Sequence, residues 1–292
     1  MNFHILESYP NINHKYLDYL KKNWHKIFLP FDDISKNNID WIIVRSKIKV
    51  DKKLIDSYIN LKYVFRVWVW VENIDINYLT KKNIILKNTP WVNSQAVAEL
   101  VLWWILSLLR KTYKKWDNLD DRFLFIWDEL SNKTIWIVWF WAIWKKIYNL
   151  INTFWENNFL IYDPFLNPSD FKESNIIFVK DKKELFKKSD IISFHIPLLE
   201  NTKDFLSWDD FMLLKNNIKI VNTSRWWIIN EYDLIKFLKQ NEESSAFIDT
   251  WEWEPWNYKK EFNDLKNIII TPHIWAMTKE SIKKMHEFEI YF

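Results

Sequence analysis

Hydrophobic positions along this chain alternate between two rhythms. Short β-branched runs stand between stretches in which apolar residues recur at helical spacing. In the first third of the chain, 3–6, 39–44, 63–67 and 84–86 read as strands, and 13–20, 52–58 and 75–82 as helices. A longer helix follows over 94–111. Ser94 can cap it, and Ala98, Leu102, Ile105 and Leu109 share one face. A second series begins at Lys133. Its strands are expected at 134–138, 159–162, 176–179, 191–194, 218–221, 246–248 and 268–270. Its helices are expected at 142–154, 183–188, 209–214, 230–239 and 279–288. Regular alternation of strand and helix predicts an α/β protein built on parallel sheets.

Length and composition narrow the class. A chain of 292 residues carries one large or two medium domains. Its 41 basic and 38 acidic side chains leave a formal charge of +3, too even a balance for nucleic acid as a partner. Cysteine is absent, which excludes disulfides and thiolate metal sites, and no metal is expected. The N-terminus shows no basic stretch before an apolar run, and the most apolar segment, 96–110, is too short to span a bilayer comfortably. The expectation is a cytoplasmic protein with no membrane partner.

One compositional fact changes how the motifs read. The chain has no glycine and 21 tryptophans, although glycine ordinarily supplies about 7% of residues. Many of the tryptophans stand where backbone geometry requires glycine. The pairing implies that most of them are glycines in the working protein, as a UGA codon reassigned to glycine would produce. The richness in Asn, Ile and Lys fits an AT-rich gene.

With that substitution the segment TIWIVWFWAIW at 134–144 becomes a strand, a G-x-G-x-x-G turn at Trp139, Trp141 and Trp144, and the start of a helix. Asp163 stands about 20 residues on, at the end of the next strand, which completes the dinucleotide-binding pattern. The first glycine makes the turn, the second admits the pyrophosphate to the backbone, and the third lets helix and sheet pack closely. The helix start offers N–H groups to phosphate. Asp163 would accept from the ribose hydroxyls and repel a 2′-phosphate, favouring NAD over NADP. Read literally, an indole at 141 would occupy the place of the pyrophosphate.

Three further segments follow strands: VNTSRWW at 221–227, DTWEWEP at 249–255 and TPHIWA at 271–276. With glycine restored they resemble signatures of the NAD-dependent D-isomer-specific 2-hydroxyacid dehydrogenases. RVWVWVENID at 66–75 and NTPWVN at 88–93, followed by AVAE at 96–99, are similar to other segments of that family. The likeness runs in one order from about Ile39 to His273, and phosphoglycerate dehydrogenase-like members are the nearest in pattern. The resemblance implies two Rossmann-like or flavodoxin-like domains. A dinucleotide-binding domain at 98–274 would be inserted in a substrate domain made of 1–97 and 275–292. It also implies a homodimer.

Reduction of a 2-oxo acid needs a proton donor, a cation for the carboxylate and a hydride carrier. The resemblance gives these roles to His273 as acid–base group, Glu254 as its partner, and Arg225 as the carboxylate clamp that also polarises the carbonyl. It further implies that Ala142 and Ile143 offer backbone contacts to the phosphates, and that His195, Pro197 and Thr202 flank the adenine, ribose and phosphates. Thr223, Ser224, Asp249 and Trp275 would line the nicotinamide side, with Asp249 accepting from its amide. Ser46 and the backbone N–H groups of Val67, Trp68 and Val69 would meet substrate. Ile48 departs from the family's threonine. The competing reading is an NAD(H)-sensing interaction protein on the same fold, like the family's corepressor branch. Trp251 stands where the family accepts a large aromatic residue.

Overall fold

The computed structural model describes residues 1–7, 22, 25–30, 32, 34–68, 71–113, 126–138, 142–162, 167–252 and 260–288. The chain divides into two compact units, Met1–Asn93 with Met277–Phe292, and Ser94–Ala276.

The first unit is built on β1 (Asn2–Ile5), β2 (Lys26–Phe28), β3 (Trp41–Val44), β4 (Tyr63–Arg66) and β5 (Ile85–Asn88). They form one sheet in the order β2-β1-β3-β4-β5, parallel throughout. Alternation along β3 sets the layers, because successive side chains point to opposite faces. Ile42 and Val44 enter a cluster with Ile55 of α1 (Lys52–Asp56) and Leu79 of α2 (Ile76–Lys81). Trp41 and Ile43 enter another with Phe3, Phe65 and Met285 of α8 (Lys279–Phe288). Asp51 and Asp75 start α1 and α2 by accepting the N–H groups of Leu54 and Tyr78.

The second unit holds seven parallel strands: β6 (Thr134–Val138), β7 (Asn158–Ile161), β8 (Ile176–Phe178), β9 (Ile191–Phe194), β10 (Lys219–Asn222), β11 (Ser245–Ile248) and β12 (Ile268–Ile270). Their order is β12-β11-β10-β9-β6-β7-β8. Helix α3 (Ser94–Arg110) precedes them, and between them run α4 (Ala142–Asn152), α5 (Lys182–Lys188), α6 (Trp208–Phe211) and α7 (Glu231–Gln240). Strands β9, β10 and β11 are buried at every position, as in parallel sheets covered on both faces. The chain builds outward from β6 through β7 to β8, then returns to β6's other side with β9. That reversal falls between β6 and β9, and in open α/β sheets the crevice that takes a dinucleotide lies at the carboxyl ends of the strands at such a point.

Several expectations shift. Strand β2 was not foreseen, and the helix expected at 13–20 lies outside the described residues. Ser94 is the first residue of α3 rather than its cap.

Candidate active site

Register places the expected site residues in a row. Val138, Phe194, Asn222, Ile248 and Ile270 are paired across β6, β9, β10, β11 and β12. The residues that follow them therefore emerge along one edge of the sheet, among them His195, Thr223, Asp249 and Thr271. Trp139, Trp141, Asp163, Glu254 and Val69 lie outside the described residues.

Helix α4 begins at Ala142, directly beyond the end of β6. Ala142 and Ile143 are its half-buried first residues, so the helix presents its N–H end at the crevice. Trp144 is buried and stacks on Tyr148, with ring centroids 4.8 Å apart.

His195 is buried at the end of β9. Its Nε2 lies 2.7 Å from the Ser193 hydroxyl and its Nδ1 3.3 Å from that of Thr223. Burial pushes the imidazole pKa down to about 3, so the ring is neutral. The ring ties β9 to β10, and both of its nitrogens are engaged inside the protein. Thr202 likewise closes its own loop. Its hydroxyl accepts from the Leu199 N–H at 2.7 Å and donates to the Pro197 carbonyl at 2.6 Å.

After β10, Asn222 organises the turn. Its Oδ1 accepts from the backbone and hydroxyl of Ser224 (3.0 and 2.6 Å), and its Nδ2 donates to the Arg225 carbonyl at 3.0 Å. Arg225 is half-buried, with Nη1 donating to the Ser224 carbonyl. Asn222 was not singled out from the sequence, although it begins the NTSR segment.

Asp249 is fully buried, and burial pushes its carboxyl pKa up. It accepts from the Thr271 hydroxyl and from the N–H groups of Ile274 (2.9 Å) and Trp275 (2.8 Å). Both oxygens thus clamp the segment that carries His273, where a nicotinamide amide contact was expected. His273 sits half-buried at the turn's apex with φ 55°. Its ring centroid is 5.8 Å from that of Trp275, which is buried. Buried Glu231, also unforeseen, accepts the Glu252 N–H at 2.7 Å and so steadies the start of the segment leading to Glu254.

In the first unit Ser46 is exposed on a loop after β3. The Val67 N–H donates to the Val44 carbonyl (3.0 Å) and the Trp68 N–H to the Thr89 hydroxyl (2.9 Å). Two of the three N–H groups expected to meet substrate therefore already have protein partners. Among the described residues no His, Cys, Asp and Glu group could hold a metal, and no helix is long and apolar enough to cross a membrane.

Residues 102–274 match the family described as D-isomer specific 2-hydroxyacid dehydrogenase, NAD binding domain. The chain is 33% identical over 249 residues to a D-3-phosphoglycerate dehydrogenase of Methanocaldococcus jannaschii, covering 84% of this chain and 47% of that one. It is 30% identical over 260 residues to a glyoxylate reductase of Thermococcus litoralis, covering 85% and 78%. It spans about half the length of the phosphoglycerate dehydrogenases it matches. Among solved structures it resembles the NAD+-bound 3-phosphoglycerate dehydrogenase of Entamoeba histolytica, with a TM-score of 0.78, 25% identity and 98% and 91% coverage.

Proposed function

Because the chain belongs to the D-isomer specific 2-hydroxyacid dehydrogenase family, we propose that it interconverts a small 2-oxo acid and the 2-hydroxy acid with NAD(H), phosphohydroxypyruvate and 3-phosphoglycerate being one candidate pair. The supporting observation is the row of polar residues at the carboxyl edge of the second sheet, with the N–H end of α4 at the point where strand order reverses. When bound, the cofactor supplies or accepts the hydride. Arg225 grips the substrate carboxylate and draws charge from the carbonyl. His273 gives the carbonyl oxygen its proton in reduction and takes it back in oxidation, with Glu254 steadying the charged imidazole. Ser193, His195 and Thr223 hold the ends of β9 and β10 in place. The homodimer and a cytoplasmic location belong to the same reading.

The reading requires glycine at the suspect tryptophans. Trp68 adopts φ 124° and Trp91 φ 64°, conformations natural to glycine and costly to an aromatic residue. The indole N–H groups of Trp41, Trp104 and Trp136 are buried with no hydrogen-bond partner, which glycine would avoid. In the G-x-G-x-x-G pattern the residues at 139 and 141 must let the backbone turn and meet the pyrophosphate, a task for glycine and not for an indole. Intact-mass measurement on protein from its own cells is expected to fall well below the mass of the printed residues. Agreement with the printed residues would refute the recoding.

Glycine-form protein is expected to oxidise NADH with at least one of phosphohydroxypyruvate, hydroxypyruvate, glyoxylate and pyruvate. His273→Asn should lower kcat/KM by about 10²–10⁴-fold. NADH binding without turnover of any of them would favour the sensor, and loss of NADH binding would remove both readings.

A further inference from the structure

Two loops of the first unit are fastened by one set of polar side chains. Glu7, just past β1, takes the N–H groups of Arg45 (2.8 Å), Lys47 (3.4 Å) and Ile48 (3.0 Å). On the carbonyl side of the same loop, Asn73 Nδ2 donates to Arg45 (2.7 Å) and Ile48 (2.6 Å). Asn73 Oδ1 accepts from Arg66 Nε at 3.0 Å. Arg66, 4% exposed, passes the connection on by donating from Nη1 to the Val67 carbonyl. At the next residue the Thr89 hydroxyl takes the N–H of position 68. None of the side chains in this chain of bonds is tryptophan, so it is unaffected by which residue stands at 68.

We propose that Asn73 is a positioning residue that locks the 45–48 loop to the segment at 66–68 and so fixes the shape of the surface receiving the 2-oxo acid. This rests on the function proposed above and on the family likeness, which gives Ser46 and residues 67–69 to the substrate. An amide suits the task because it offers two donors to one loop and an acceptor to the other at once. Arg66 as third member is buried, so the bond it gives to the Asn73 amide is shielded from competing water.

The test compares Asn73→Ala, Asn73→Asp and Glu7→Gln with the parent glycine-form protein. Asn73→Asp keeps the acceptor for Arg66 and loses both donors. We expect KM for the 2-oxo acid to rise about tenfold in the Asn73 variants, as for two lost hydrogen bonds, and in the same direction in Glu7→Gln. kcat and NADH affinity should stay near parent values. Amide exchange should quicken at 67–68 as well as at 45–48 in the Asn73 variants. Should Asn73→Ala fail to fold, Asn73→Asp and Glu7→Gln carry the test. Folded variants that lose thermal stability but keep KM would reduce Asn73 to a structural role. Exchange that quickens at 45–48 alone would break the proposed link. If the parent protein turns over no 2-oxo acid, the proposed function fails and this inference with it. An active parent with unchanged KM in the variants overturns the inference alone.

Discussion

A side chain at φ 124° pays for its Cβ in steric strain. Trp68 is in that state and Trp91 is left-handed at φ 64°. Strain of this kind costs about 1–3 kcal/mol per residue, so glycine at both positions should raise the unfolding free energy by a few kcal/mol over tryptophan at both. Urea titration of the two proteins measures it, and equal midpoints with equal slopes would count against glycine there. At this scale the sequence disclosed residue types better than their employment. Arg225 and His273 sit in short contiguous motifs, so their places at strand ends were readable. That Asp249 would spend both oxygens on the 271–275 segment, or that His195 would be held between Ser193 and Thr223, depends on bonds between strands distant in sequence. Asn222 and Glu231 escaped notice for another reason. Their work is done through backbone groups that carry no mark in the sequence.

Strands were legible where apolar runs are unbroken. The bounds read for 134–138, 191–194 and 268–270 match β6, β9 and β12. Strand β2 was missed because it is three residues at a sheet edge with little burial to impose a pattern. The second sheet also hides an oddity at the start of β10. Lys219 is 2% exposed, with Nζ donating to the Glu243 carbonyl at 2.7 Å. Burial lowers its pKa from 10.5 to about 8, against the pull of nearby Asp128 and Glu243. Between these values the unfolded chain holds the proton that the folded protein has released. Stability should therefore rise as pH climbs from about 8 to 10.5, by an amount on the order of 3 kcal/mol. Lys219→Met is expected to lack that increment. Parallel unfolding curves for the two proteins across the interval would disprove it.

Along the sequence a continuous unit interrupts a discontinuous one. The alternating pattern made the α/β class readable, while insertion of one domain in the other was expected only through the family likeness. The observed units divide at Ser94 and Ala276, which keeps all of α3 with the second sheet, consistent with its packing on α4 and β10. The first unit takes Met285 and Ile282 of α8 into the cluster beneath β1, β3 and β4. Removing 277–292 should open that cluster and leave the second unit intact. Limited proteolysis is then expected to degrade 1–93 first, and equal resistance of both units would contradict it. The same arrangement bears on synthesis. A ribosome delivers 1–93 early but α8 only after the inserted unit has emerged, so the first sheet must wait with one face uncovered. While residues 94–276 are being made the nascent protein would then carry a first unit with one face open, and a chaperone that shields β-rich surfaces would find its client there.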